Sequence, residues 1–130
     1  MTWVPMVRLA FLALALQTLA LAACARQPAF GVAHAYVVRG QVVQLPMPGK
    51  PGSDFYVSHE TIPDFYDAEG QKVGMAAMIM PFPCSDRGKL ADLKVGDKIQ
   101  MTVLVSRDLL QWDISALIKL PAETPLQLAR

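Results

Sequence analysis

The sequence predicts an all-β domain of five short strands, carried behind an N-terminal leader and a short tether. Three observations give this class. Between residues 36 and 120, apolar positions alternate with a period of two in several short runs. Those runs are rich in Val, Ile, Thr and aromatic residues and stop at Pro- and Gly-rich breakers. No stretch of the same region sustains a helical period, so the strands are expected to follow one another without crossover helices. At 130 residues the chain allows one such domain.

The leader comes first. Arg8 precedes an apolar run from Leu9 to Leu21, and small residues precede Cys24, which is the order of a secretory signal peptide. Gln17 and Thr18 interrupt the run, and a spanning helix needs about 20 mostly apolar residues, so a transmembrane anchor fits less well. Leu21-Ala22-Ala23-Cys24 resembles the lipobox of bacterial lipoproteins. That resemblance implies cleavage after residue 23 and a lipid on Cys24, which would hold the domain on a membrane without crossing it. Ala25 after the cysteine points to the outer rather than the inner membrane of the cell envelope. Residues 24–35 show no periodicity and are expected to form the tether, His34 included.

The strands follow in order. YVVRGQVVQL (36–45) is β-branched and stops at Pro46-Met47-Pro48-Gly49. DFYVSH (54–59) alternates, with Phe55, Val57 and His59 on one face. A long polar connection, 61–72, holds a turn at Asp67-Ala68-Glu69-Gly70. MAAMIMPF (75–82) is the third strand, closed by Pro81 and Pro83. LADLKVGD (90–97) reads as one helical turn and a glycine turn. KIQMTVLVS (98–106) alternates, and LLQWDISALIKL (109–120) places Trp112, Ile114, Ala116 and Ile118 on its expected core face. Five strands in about 85 residues suggest a small five-stranded OB-like barrel over residues 36–121, a small sandwich being the alternative, with 122–130 a C-terminal tail.

Composition narrows the function. The leader carries Arg8 and no acid, so Lys+Arg 12 against Asp+Glu 11 becomes an even balance in the mature chain. With no basic run either, nucleic acid is not an expected partner. There is no Ser/His/Asp order, paired-carboxylate motif or phosphate loop, and an enzyme is not expected. With Cys24 lipidated, Cys84 has no intrachain partner for a disulfide.

The conspicuous feature is GMAAMIMPFPC, which puts Met75, Met78 and Met80 within six positions. Strand alternation turns Met78 and Met80 to one face, and a hairpin with the preceding strand would bring His59 opposite or diagonal to them. Met75 has the other parity and joins only if the chain bulges there. Two readings stand on these residues. Methionine is an adaptable core filler. Neutral thioethers beside one imidazole also suit Cu(I), and the equally soft Ag(I), while hard ions and zinc prefer other donors.

HETIPDF (59–65), then MAAMIMPF, then LADLKVGDKI and a final WDI resemble, in that order, the periplasmic copper-binding family of the CusF type, whose relatives include domains found alongside Sco-type copper proteins. The resemblance implies an OB-like barrel with a Cu(I) site opening at one end. It implies His59, Met78 and Met80 as ligands, with Met75 as a further sulfur where the best-known members carry a tryptophan over the metal. It also implies a chaperone that exchanges copper with an envelope partner, either an efflux component or a Sco-type protein of oxidase assembly. The sequence departs from the compact members in the fifteen residues between His59 and Met75. An extended hairpin there keeps the site together, whereas a one-residue shift of register turns one side away. Phe65 and Tyr66 in this excursion are either a lid or exposed loop aromatics, Trp112 is core or a shield, and Cys84 is structural or an extra ligand. A different class of function also remains: a metal-free lipoprotein whose barrel binds protein or saccharide.

Overall fold

A computed structural model describes residues 29–50 and 54–130. The segment expected to be a signal peptide, and Cys24, the expected lipid acceptor, lie outside the described residues. The chain forms β1 (His34–Gln44), β2 (Tyr56–His59), β3 (Met78–Pro81), β4 (Lys98–Val105) and β5 (Trp112–Lys119), with one three-ten turn at Arg87–Leu90. All neighbours are antiparallel in a single sheet of order β3-β2-β1-β4-β5. This is the predicted all-β, five-stranded, OB-like architecture, and the described residues contain no α-helix.

β1 organises the sheet. It pairs with β4 from His34 to Gln41 and with β2 from Gly40 to Gln44, so Gly40 and Gln41 are held from both sides. Its even-numbered residues from Tyr36 to Val42 face inward and the odd-numbered ones outward, as period-two alternation requires. β4 alternates just as cleanly, burying Ile99, Met101, Val103 and Val105. These side chains meet Val57, Phe55, Phe82 and Ile114 in one core. β1 starts earlier than the periodicity of the sequence suggested. His34 pairs with Val105, and even Ala33 donates its N–H to the Val105 carbonyl at 2.9 Å.

β5 corrects one expectation. Ile114 is buried and Trp112 half-buried, but Ala116 and Ile118 face solvent. The register shifts between Thr102 and Val103, whose partners are Ala116 and Ile114, so Ser115 is an unpaired extra residue. A bulge of this kind inverts the parity beyond it, and Leu117 takes the inward place instead.

The sheet's outer strands approach at one corner through side chains. Ser85 donates its N–H (2.9 Å) and its hydroxyl (2.6 Å) to the two carboxylate oxygens of Asp113, and Trp112 meets Phe82 with ring centroids 6.3 Å apart. The C-terminal tail is likewise tied down: Lys98 Nζ donates to the Thr124 carbonyl at 2.6 Å and Arg39 Nη2 to the Pro125 carbonyl at 3.2 Å.

Candidate metal centre

β2 is four residues long and lies between β1 and β3. Its last residue, His59, faces Gly40 across one ladder and Met78 across the other. Glycine is required at position 40 by space. A Cβ there would lie 2.5 Å from the Ser58 carbonyl oxygen, 2.6 Å from Val57 Cγ1 and 3.0 Å from His59 Cα. The missing side chain lets the strands close and sinks His59 to 0% exposure.

The buried ring is held in one tautomer. His59 Nδ1 lies 2.6 Å from the carbonyl oxygen of Glu60. A carbonyl only accepts, so Nδ1 carries the proton and donates, leaving Nε2 as a bare lone pair. That nitrogen is buried and has no hydrogen-bond partner among the described residues. An unmet buried polar atom costs about 1–3 kcal/mol, so a group that can use the lone pair is favoured there. Phe82 stands edge-on to the ring, with centroids 5.6 Å apart at 86°.

The methionines sit on the partner strand. Met78 is directly opposite His59, and Met80 is opposite Val57. Opposed residues share a face, with Cβ atoms about 4.5–5.5 Å apart. Met78 and Met80 therefore belong to the same face as His59, while Ile79, opposite Ser58, belongs to the other. Met78 is 39% exposed, whereas Met80 is half-buried and packs against the core.

The long excursion does not shift the register before Met75. Ile62 and Met75 exchange both backbone hydrogen bonds at 2.8 Å, three residues beyond the His59–Met78 pair on each strand. A bend at Ala77 interrupts the strand between Met78 and Met75. A straight strand would turn Met75 outward, yet it packs against the core alongside Met80. The register moves by one residue only further out, at the bridge between Tyr66 and Lys72. The excursion is thus an extended hairpin, turned by Asp67, whose Oδ1 accepts from Glu69 N (3.0 Å) and Gln71 N (2.8 Å).

Aromatic rings wall this end of the core. Phe65 is 5% exposed, so it is core rather than an exposed loop aromatic. It lies 5.2 Å from Tyr36 and stacks at 5.8 Å on Trp112, which in turn meets Phe82. Trp112 is a wall residue one ring removed from His59, and its Nε1 donates to the Leu109 carbonyl at 2.8 Å. His34, expected in the tether, stacks face to face on Tyr66 at 4.7 Å. The sequence held no periodic signal for these hairpin contacts; its one cue was the Asp67–Gly70 turn.

Cys84 lies past the end of β3, where its Sγ donates to the Asp86 carbonyl at 3.2 Å. Burial pushes its thiol pKa up, and the Asp113 carboxylate adds to the effect. A thiol kept protonated is a poorer soft-metal ligand than a thiolate. On the outer side of β2, Glu60 pairs with Arg39 at 2.8 Å, and that guanidinium holds the Glu60 carboxyl below the usual carboxylate range. Among the described residues no three His, Cys, Asp or Glu side chains gather as a metal cluster. The donors at this site are one imidazole nitrogen and thioethers.

No family model matches the chain, and no curated protein matches it. Among solved structures, the chain is similar to apo-CusF residues 6–88 from Escherichia coli, at 16% identity and a TM-score of 0.48, over 73% of this chain and 100% of that one.

Proposed function

We propose that this protein is a copper chaperone of the cell envelope that holds Cu(I), and the equally soft Ag(I), between His59 Nε2 and the thioethers of Met78 and Met80, with Met75 as a further sulfur. The observation that carries this reading is the buried Nε2 lone pair, without a partner among the described residues, on the strand paired with the methionines. Thioether sulfur is soft and neutral and selects Cu(I) over hard ions. Imidazole supplies the one stronger donor, fixed in the tautomer a ligand needs.

The arrangement suits transfer rather than storage. Met78 reaches solvent, Met80 and Met75 are half-buried, and His59 is fully enclosed. An incoming ion meets Met78 first and exchanges ligands inward; a partner's donor displaces them in the reverse order. On this reading Cys24 carries lipid and tethers the domain to a membrane, with the outer membrane favoured. The partner is a copper-donating or copper-accepting envelope protein, in efflux or in oxidase assembly. No catalysed reaction is part of the proposal.

The test is a Cu(I) titration against a chromophoric chelator, with Met78→Leu and Met80→Leu singly and together. These swaps keep volume and remove sulfur, so each should cost less than about 1.5 kcal/mol of stability. Copper affinity should fall with each change and most in the double variant. Unchanged affinity in the double variant would leave a metal-free binding module as the better account.

A further inference from the structure

The residue after the buried histidine is tied at every polar group. Glu60 N donates to the Arg39 carbonyl at 2.9 Å. Its Oε1 accepts from Arg39 Nε at 2.8 Å, and its Oε2 accepts from Gln127 N at 2.9 Å. Its own carbonyl takes the His59 Nδ1 proton at 2.6 Å. β2 ends at His59, and no β2–β3 ladder pair includes Glu60 or Thr61. The β2–β3 ladder and the Ile62–Met75 bridge hold the chain on either side of Glu60 but do not bond its polar groups. Beyond the His59 ring, the bonds to those groups come from Arg39 and from the C-terminal segment after β5, itself held through Pro125 and Thr124.

We infer that Glu60 is a positioning residue for metal binding, and that the C-terminal segment is the strap that holds it, so that together with Arg39 they fix the His59 tautomer and aim Nε2 at the ion. This rests on the copper reading of the site. The Arg39–Glu60 pair is partly exposed, with side chains at 39% and 18%, and such pairs add little to stability; its consequence here is geometric. Once the carbonyl is free to turn, the Nδ1 proton loses its fixed acceptor. The ring then shares the proton between its nitrogens, and the lone pair is no longer reserved for the metal.

The chain has two histidines, so imidazole ¹⁵N spectra of the full chain in detergent resolve both, with His34→Asn to assign them. In metal-free wild type, His59 should show a single Nδ1–H tautomer. In Glu60→Gln, where a donor NH2 replaces one of the two oxygens that accept from Arg39 and Gln127, and in a chain ending at Thr124, the two nitrogens should shift toward the average. Cu(I) affinity by chelator competition should fall about 10–100-fold in both, the range seen when a ligand's hydrogen-bond partner is removed. If Glu60→Gln does not fold, Arg39→Lys, which keeps the charge and loses the planar fork, takes its place. An unchanged His59 tautomer in the folded variants overturns the inference. Wild type that binds no Cu(I) overturns the copper reading instead, and the metal-free spectra still decide whether Glu60 positions the ring.

Discussion

Gly40→Ala tests whether close approach of β1 and β2 is what buries His59. The new Cβ would stand 2.5 Å from the Ser58 oxygen and 3.0 Å from His59 Cα, where ordinary contact begins at 3.4 Å. Both are backbone atoms within a ladder and cannot swing aside as a side-chain tip can. The strands must part by close to an ångström, while β4 on the other side of Gly40 restrains β1 from yielding. Overpacking of this kind costs about 1–3 kcal/mol. Alanine returns about 0.4–1 kcal/mol by narrowing the unfolded ensemble. A net loss near 1–2 kcal/mol lowers the Tm of a domain this size by roughly 5–15 °C. The assay is thermal unfolding beside Gly31→Ala, whose Cβ meets nothing within 4 Å. Cu(I) affinity should fall in the first variant only, because His59 is displaced. If the two variants melt together, the packing argument at Gly40 is wrong.

Three further outcomes follow from burial and charge. Mild peroxide should oxidise Met78 well before Met101, which is 1% exposed, and peptide mass spectrometry reads the order; equal rates would contradict the burial pattern. Cys84 should alkylate on the order of tenfold more slowly in the folded protein than in urea, since burial keeps it a thiol; equal rates would show that the site is open. Glu60, Asp97 and Asp108 have lowered pKa values through hydrogen bonds from Arg39, the Lys94 N–H and the Ser106 hydroxyl respectively. Carboxylates with depressed folded values stabilise above their unfolded value, near 4, and lose that contribution as pH falls through the folded value. The urea midpoint should therefore be flat from neutral pH down to about 5 and decline below 4; a decline already complete at pH 5 would contradict it.

The strands were legible because each has a face of its own. β4 alternates throughout and can be read by period alone, whereas β1 is read from its β-branched residues, since Val37 and Val43 are apolar yet exposed. The end of β5 could be read by neither, since Ser115 is chemically ordinary and the bulge exists only through its pairing with β4. The same holds at the site. His59 and Met78 could be matched by motif and parity, but the long excursion between them left the register open, and the Ile62–Met75 bridge is what holds it. Met75 depended on a bend at Ala77 that no residue type announces. Phe65 is buried because a polar excursion folds back as a hairpin against Tyr36 and Trp112, a tertiary outcome. The tail's hold on Glu60 spans 67 residues of sequence and rests largely on backbone groups, which composition does not display.

The solitary nitrogen at the centre of the fold also has a thermodynamic meaning. A buried acceptor without a donor among the described residues is a standing penalty on the empty protein. Any ion that takes the lone pair removes the penalty and adds its own binding free energy, so folding and loading are linked. At a free ion concentration 100 times the Kd, that linkage amounts to about 2.7 kcal/mol. Loading should raise the melting temperature, and release to a partner should return the domain to its less stable form. On the proposed copper reading, part of what drives the ion in is the protein's own relief, and an accepting partner must offer enough to offset it.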